Sequence, residues 1–184
     1  YAAPDLLAKL ISFDTTSHLS NLALTDFITG LMDAHGMSYV LLPNEEGTKA
    51  NLYGTIGGDG PGGLVLSGHT DVVPVADQDW STDPFTMDMR DGRYYGRGTC
   101  DMKGFIACAL AQLPKLANAR LERPVHFAFS YDEEIGCLGV RPMIAHIAEH
   151  LPKPDLVIVG EPTDMAVVDA HKAIRSFRVA VTGL

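Results

Sequence analysis

Apolar residues recur along this chain first at helical spacing and then in short runs, and the order in which the two periods follow one another predicts an architecture. Leu6, Leu7, Leu10 and Ile11 share one face of a helix starting near Pro4, and Leu24, Phe27, Ile28 and Leu31 make the buried stripe of a second helix that Gly36 stops. Helices therefore precede the sheet. Residues 39–42, 51–56 and 64–66 are β-like runs, the last two separated by Gly57-Gly58-Asp59-Gly60-Pro61-Gly62-Gly63, which reads as a turn. A strand rather than a helix follows that turn, so no helix N-terminus is available there to receive a phosphate.

Residues 87–89 and 94–95 flank Arg90-Asp91-Gly92-Arg93 as a small hairpin, and an amphipathic helix is predicted over 102–116. Strands at 125–130 and 156–159 lie on either side of a helix over 138–150. Strand, helix and strand in that order predict an α/β fold, with a largely parallel mixed sheet covered by helices on both faces. Phe177, Val179 and Val181 then alternate with Arg178, Ala180 and Thr182, a half-buried strand with no partner after it, which suggests a domain boundary near residue 176.

Composition narrows the function. With 184 residues, 46% hydrophobic and 20% charged, the chain has the length and apolar content of a folded domain, or of one domain and the start of another. A net charge of −9 without a basic stripe argues against nucleic acid or an anionic membrane as partner. No apolar run approaches the roughly 18 residues a membrane span needs, and Tyr1-Ala2-Ala3-Pro4-Asp5 has no leader character. Cys100, Cys108 and Cys137 form neither an even disulfide framework nor a C-x-x-C pair. A soluble, untargeted, cytoplasmic protein is expected.

Four segments put acidic or imidazole groups at the C-terminal ends of predicted strands or just beyond them, where open α/β sheets bind ligands. They are Ser67-Gly68-His69-Thr70-Asp71, Gly98-Thr99-Cys100-Asp101-Met102-Lys103-Gly104, Asp132-Glu133-Glu134-Ile135-Gly136 and Gly160-Glu161-Pro162. Each has an ordinary structural explanation: a hydrogen-bonded strand-end histidine, a carboxylate at a helix N-terminus, a solvated acidic pair, a turn residue. Together they conflict electrostatically. Carboxylates converging at a buried sheet end repel one another and lose hydration at a cost of several kcal/mol per uncompensated ion, unless a cation sits among them. In extended backbone His69 and Asp71 project to the same face, so the carboxylate can accept one imidazole N–H and aim the other nitrogen at a metal. One bridging carboxylate, flanked by a His and further carboxylates, suits two divalent ions, and such donors fit Zn²⁺, Co²⁺ or Mn²⁺.

These segments resemble, in order, the catalytic-domain motifs of the dimetal deacylases and peptidases that include acetylornithine deacetylase, succinyl-diaminopimelate desuccinylase, aminoacylase and glutamate carboxypeptidases. Residues 96–104, 132–139, 160–163 and 171–177 (His-Lys-Ala-Ile-Arg-Ser-Phe) look most like acetylornithine deacetylase. The resemblance implies metal-dependent hydrolysis of a small N-acyl amino acid, chiefly N-acetylornithine in arginine biosynthesis, with desuccinylase or dipeptidase chemistry as the alternative. It implies that Asp101 bridges two Zn²⁺ ions (Co²⁺ or Mn²⁺ being substitutes), that His69 and Glu161 complete the first site and that Glu134 serves the second. Asp71 orients His69, Glu133 is the general base, and the Asp101–Met102 peptide is cis. It further implies a catalytic domain over 1–175 and, at 176–184, the first strand of a lid that carries a homodimer interface. In that family a later histidine completes the second site, so this stretch alone is expected to hold the first metal better than the second and to turn over weakly or not at all. A non-catalytic metal-binding fragment is the rival from another class.

Other patterns carry less. His146-Ile147-Ala148-Glu149-His150 spells an inverted zinc-protease signature, but Met143, Ile144, Ile147, Ala148 and Leu151 form the core stripe of that helix and leave the imidazoles on its wet side. Cys100, as a nucleophile with His69 as base, lacks an oxyanion motif, and it reads as a small packing residue. No G-x-S-x-G elbow is present.

Overall fold

Alternation along three strands decides which helix covers which side of the sheet. The computed structural model describes residues 1–58, 60–170, 172 and 177–183. Its elements are α1 (Ala3–Ile11), α2 (Leu22–Ala34), β1 (Ser38–Pro43), β2 (Ala50–Ile56), β3 (Leu64–His69), β4 (Asp88–Arg90), β5 (Arg93–Tyr95), α3 (Lys103–Leu110), α4 (Leu113–Asn118), β6 (Val125–Ser130), α5 (Arg141–His150) and β7 (Leu156–Val159). The main sheet runs β1-β2-β6-β3-β7. β1 and β2 are antiparallel, as are β2 and β6, whereas β6, β3 and β7 run parallel.

Leu52 and Ile56 of β2 and Phe127 and Phe129 of β6 point to one face, into a core with Leu10 and Ile11 of α1, Ile28 and Met32 of α2, and Ile106 and Leu110 of α3. The intervening Tyr53, Val65 and Ala128 face the other side and pack on Met143 of α5. Period-two strands thus bury both faces, which stabilises the sheet by roughly 1.5–3 kcal/mol per enclosed large apolar side chain. Gly54 and Gly68 leave room for Met32, Met37 and Met102, whose side chains come to 3.0 Å or less from where a Cβ would stand.

The hairpin forms as expected, β4 and β5 turning through Asp91 and Gly92 at φ +52° and +71°. Other boundaries differ. The helix expected over 102–116 breaks into α3 and α4, because Pro114 has no amide to offer the carbonyl one turn back and is tolerated only in a first turn. The helix expected from 138 begins at Arg141, with Pro142 in its first turn, and the residues before it make a separate turn with Leu138 N–H on Asp132 O at 3.0 Å. The buried stripe of α2 runs through Leu24, Ile28 and Met32, with Phe27 and Leu31 only partly covered. On α5 only Met143 is fully buried, and Ile144 is exposed. Residues 177–183 pair with no strand, and Phe177, Val179 and Val181 are exposed. β7, at the sheet edge, also exposes its side chains. No helix among the described residues is long and apolar enough to cross a membrane.

Candidate metal centre and active site

His69 closes β3, the strand between the parallel neighbours β6 and β7, and its side chain is 2% exposed. Its Nδ1–H donates to the carbonyl oxygen of Asp71 at 2.9 Å, while Asp71 Oδ1 lies at 3.5 Å. The expected carboxylate partner is there at the longer distance, and the backbone oxygen is the nearer acceptor, because β3 ends at His69 and Asp71 has left the two-residue period. A carbonyl can only accept, which fixes the proton on Nδ1 and turns Nε2 to the site. Nε2 lies 3.0 Å from Asp101 Oδ1, 3.7 Å from Glu161 Oε1 and 4.0 Å from Glu133 Oε2.

Those carboxylates arrive from three directions. Glu161 follows β7 and Glu133 follows β6, both at the same sheet end as His69. Asp101 stands just before α3, joined to Met102 by a cis peptide bond, as the resemblance implies. Gly98, at φ +86°, lets the chain turn there, where a side chain would strike Val72 at 2.9 Å. Lys103 is fully buried next to the site, and its Nζ donates to Leu10 O at 3.0 Å and Phe13 O at 2.7 Å, tying α3 to the end of α1. Burial lowers its pKa to about 8.

One donor atom each from His69, Asp101 and Glu161 lies within 4.8 Å of the others, and this is the one such cluster among the described residues. His146, Glu149 and His150 do not form one: their imidazoles meet edge to face at 4.8 Å, with His150 and Glu149 exposed. Burial by itself would depress the His69 imidazole, but the Asp71 hydrogen bonds and charge, with Glu161, raise it to about 9. Burial, then the Asp101 charge, pushes Glu134 up, and burial with Asp101 and Glu133 pushes Glu161 up. The site therefore calls for positive charge at its centre. One imidazole nitrogen with carboxylate oxygens is a donor set that fits a divalent transition ion, so the residues present suit a metal.

Asp71 is buried and accepts on both oxygens: Glu133 N–H on Oδ1 at 3.0 Å, and Ser17 O–H at 2.7 Å and Glu134 N–H at 3.3 Å on Oδ2. Burial would raise its pKa, but His69, Ser17 and the Glu133 amide outweigh that and lower it. Glu133 also accepts the Cys137 S–H on Oε1 at 3.2 Å, which, with burial, raises the thiol. Cys100 is exposed and so is not a packing residue. A cavity of about 460 Å³ opens beside the cluster, lined by His69, Glu133 and Glu161 together with Cys137, Val140 and Val159.

Sequence reading alone missed Ser17, Lys49 and Asn51, which hold Asp71, Asp132 and the ends of the turn after β6 respectively. The visible signals were a Thr-Thr-Ser cluster after the first helix and a Lys-x-Asn pair opening an apolar strand. Of the motif at 171–177, only Lys172 and Phe177 fall among the described residues.

A sequence profile of peptidase family M20/M25/M40 matches residues 65–179. The acetylornithine deacetylase of Pasteurella multocida is 36% identical over 100% of this chain and 47% of its own length. That of Proteus mirabilis is 37% identical over 92% of this chain and 43% of its own. The chain spans about half the length of these curated relatives. Human carnosine dipeptidase 1 superposes with a TM-score of 0.74 at 19% identity, covering 85% of this chain and 37% of its own. An M20 family metallo-carboxypeptidase from Sulfolobus solfataricus does so with a TM-score of 0.74 at 22% identity, covering 86% and 37%. At these identities the two structures speak for the fold alone.

Proposed function

The chain belongs to peptidase family M20/M25/M40, and from that membership we propose that it carries the metal-binding half of an enzyme hydrolysing the amide of a small N-acyl amino acid, N-acetylornithine first. The observation that carries this reading is the convergence of His69 Nε2 on Asp101, Glu161 and Glu133 beside the cavity. In it, His69, Asp101 and Glu161 would hold one ion, and Asp101 and Glu134 would serve a second. Zn²⁺ suits these donors, as do Co²⁺ and Mn²⁺. Bound ions supply Lewis acidity at the amide carbonyl and an acidified water.

The chain's own groups do the rest. Asp71 holds the His69 ring through its backbone oxygen and fixes the amides of Glu133 and Glu134 through its carboxylate. Glu133, half-exposed and facing the cavity, takes a proton from the attacking water at its carboxylate and returns it to the nitrogen of the leaving amine. Val140 and Val159 in the cavity wall offer apolar contact to the short acyl chain, and the cavity's volume suits a small substrate. The reading places the protein in the cytoplasm, supported by three cysteines with no disulfide. It also divides the chain into a catalytic domain over 1–175 and, at 176–184, the start of a lid through which two copies pair, supported by the exposed Phe177, Val179 and Val181.

The test is turnover by the native full-length protein, loaded with Zn²⁺, on N-acetylornithine, N-succinyl-diaminopimelate and a dipeptide panel. Preference for the acetylated substrate supports the reading, and preference for the succinylated amine or a dipeptide moves the protein elsewhere in its family. Glu133→Gln should bind metal normally and lose roughly 10²–10⁴-fold in kcat. No hydrolysis of any of these amides would sink the proposal.

A further inference from the structure

Glu133 and Glu134 stand on a short turn that Asp71 holds at its middle, through the amides of both glutamates, and that Lys49 and Asn51 hold at its flanks. Residues 131–139 leave β6 and double back: Gly136 and Cys137 both direct their N–H groups to Glu133 O at 2.9 Å, and Leu138 N–H reaches Asp132 O. The ends of the turn come so close that a side chain at Gly139 would lie 2.0 Å from Tyr131 O. Asp132, just before the two glutamates, sits at φ +56°, a region that a non-glycine residue holds only under constraint from its surroundings.

At the flanks of the turn the constraint comes from Lys49 and Asn51. Two residues apart in extended backbone, they reach the same side. Asn51, fully buried, accepts the N–H of Tyr131 on Oδ1 at 3.3 Å and donates through Nδ2 to Gly139 O at 2.7 Å, so one amide pins both ends of the turn. Lys49 pairs its Nζ with Asp132 Oδ1 at 2.5 Å, both side chains being largely covered, and lies 5.9 Å from the centre of the Tyr131 ring. The same ammonium donates to the carbonyl oxygen of Ser17, whose hydroxyl holds Asp71. Residue 50 between them is anchored in turn, its N–H and C=O both bonded at 2.9 Å to the side chain of Asn21.

We infer that Lys49 and Asn51 are positioning residues, a clamp that sets the 131–139 turn so that Glu133 and Glu134 present their carboxylates to the site. The inference rests on the functional reading above. His69, Asp101 and Glu161 stand on other elements and take no bond from either clamp residue. Ser17, which Lys49 touches only at its backbone oxygen, keeps its own N–H bond to Val72 O at 3.1 Å, so loss of the clamp separates the sites. The second ion and the proton transfer are affected, and the first ion is spared.

The experiment compares the native full-length protein with Lys49→Met, Lys49→Arg and Asp132→Asn. In the metal-free proteins, amide hydrogen exchange should quicken at 131–139 in Lys49→Met while β2 and β6 keep their protection. Co²⁺ titration followed by visible absorption should show the first equivalent binding within about twofold of wild type and the second weakened tenfold or more. Turnover of N-acetylornithine should lose tenfold or more in kcat at nearly constant KM, with Lys49→Arg restoring most of it and Asp132→Asn, which needs no large refit, repeating the loss. A folded Lys49→Met whose exchange at 131–139, second-ion affinity and kcat all match wild type overturns the inference. So does equal weakening of both ions. Wild-type protein that takes up no Co²⁺ or cleaves no acyl amide refutes the functional reading instead, while the exchange measurement still decides whether the clamp orders the turn.

Discussion

Asp71 and Glu133, far apart in sequence, are joined by an N–H···O bond of 3.0 Å, so the residue that steadies the imidazole also steadies the candidate base. Replacing Asp71 by Asn puts an NH₂ where at least one donor now points, the amide of Glu133 or Glu134 or the hydroxyl of Ser17. We expect Asp71→Asn to lose about 10–100-fold in kcat/KM or in metal affinity, read by steady-state kinetics and metal titration. Ser17→Ala, which removes one of the donors and leaves the carboxylate charged, should cost less.

Metal should stabilise this chain measurably, since His69, Asp101 and Glu161 form a donor cluster only when folded. Zn²⁺ at about 100 times its Kd adds about 2.7 kcal/mol by mass action, seen as a raised Tm relative to protein in EDTA. His69→Ala should abolish that rise. A Tm indifferent to both Zn²⁺ and EDTA would contradict the assignment of this cluster.

Lys103 contributes packing and hydrogen bonds from within the core. Lys103→Met keeps the aliphatic stem and removes both bonds, leaving Phe13 O without its donor while Leu10 O keeps the N–H of Phe13 at 3.3 Å. A loss of about 1–3 kcal/mol in urea denaturation is expected, that of a buried acceptor left unsatisfied.

Two histidines of adjacent strands give the metal-free protein opposite pH dependences. His126, stacked on Tyr53 and bonded to Thr55 and Gly62, has its pKa lowered by burial, so between its folded value and the ordinary 6.5 the unfolded chain binds more protons. Its contribution is complete above 6.5 and declines as pH falls towards the folded value. His69, raised to about 9, contributes fully below 6.5, and that contribution is lost as pH rises through 9. Urea midpoints should therefore fall from pH 6.5 towards 5 and from 6.5 towards 8, while above 8 the lowered Lys103 pKa adds a contribution that grows with pH and opposes the His69 loss. His126→Gln should flatten the acid limb alone, and His69→Gln the alkaline limb alone.

Local chemistry determined much of this protein from its sequence. The short β-like runs at residues 51–56 and 125–130, the Asp-Gly turn between β4 and β5, the stop at Gly36 and the acidic and imidazole residues at strand ends all depend on neighbours within a few positions, so they could be read without coordinates. The metal-binding motif was legible for a further reason: like charges clustered at the end of a buried sheet make electrostatic sense only around a cation. Boundaries were less legible, because Pro114 splits a helix whose apolar pattern runs on unbroken, and the stripe of α2 follows what it packs against. The support of the site belonged to the tertiary structure. Lys49 meets Asp132, Asn51 meets Gly139 and Ser17 meets Asp71 across long stretches of chain. Hydrogen bonds between distant segments leave no periodic trace in a sequence, since each partner alone is an ordinary polar residue and only the folded backbone brings donor to acceptor.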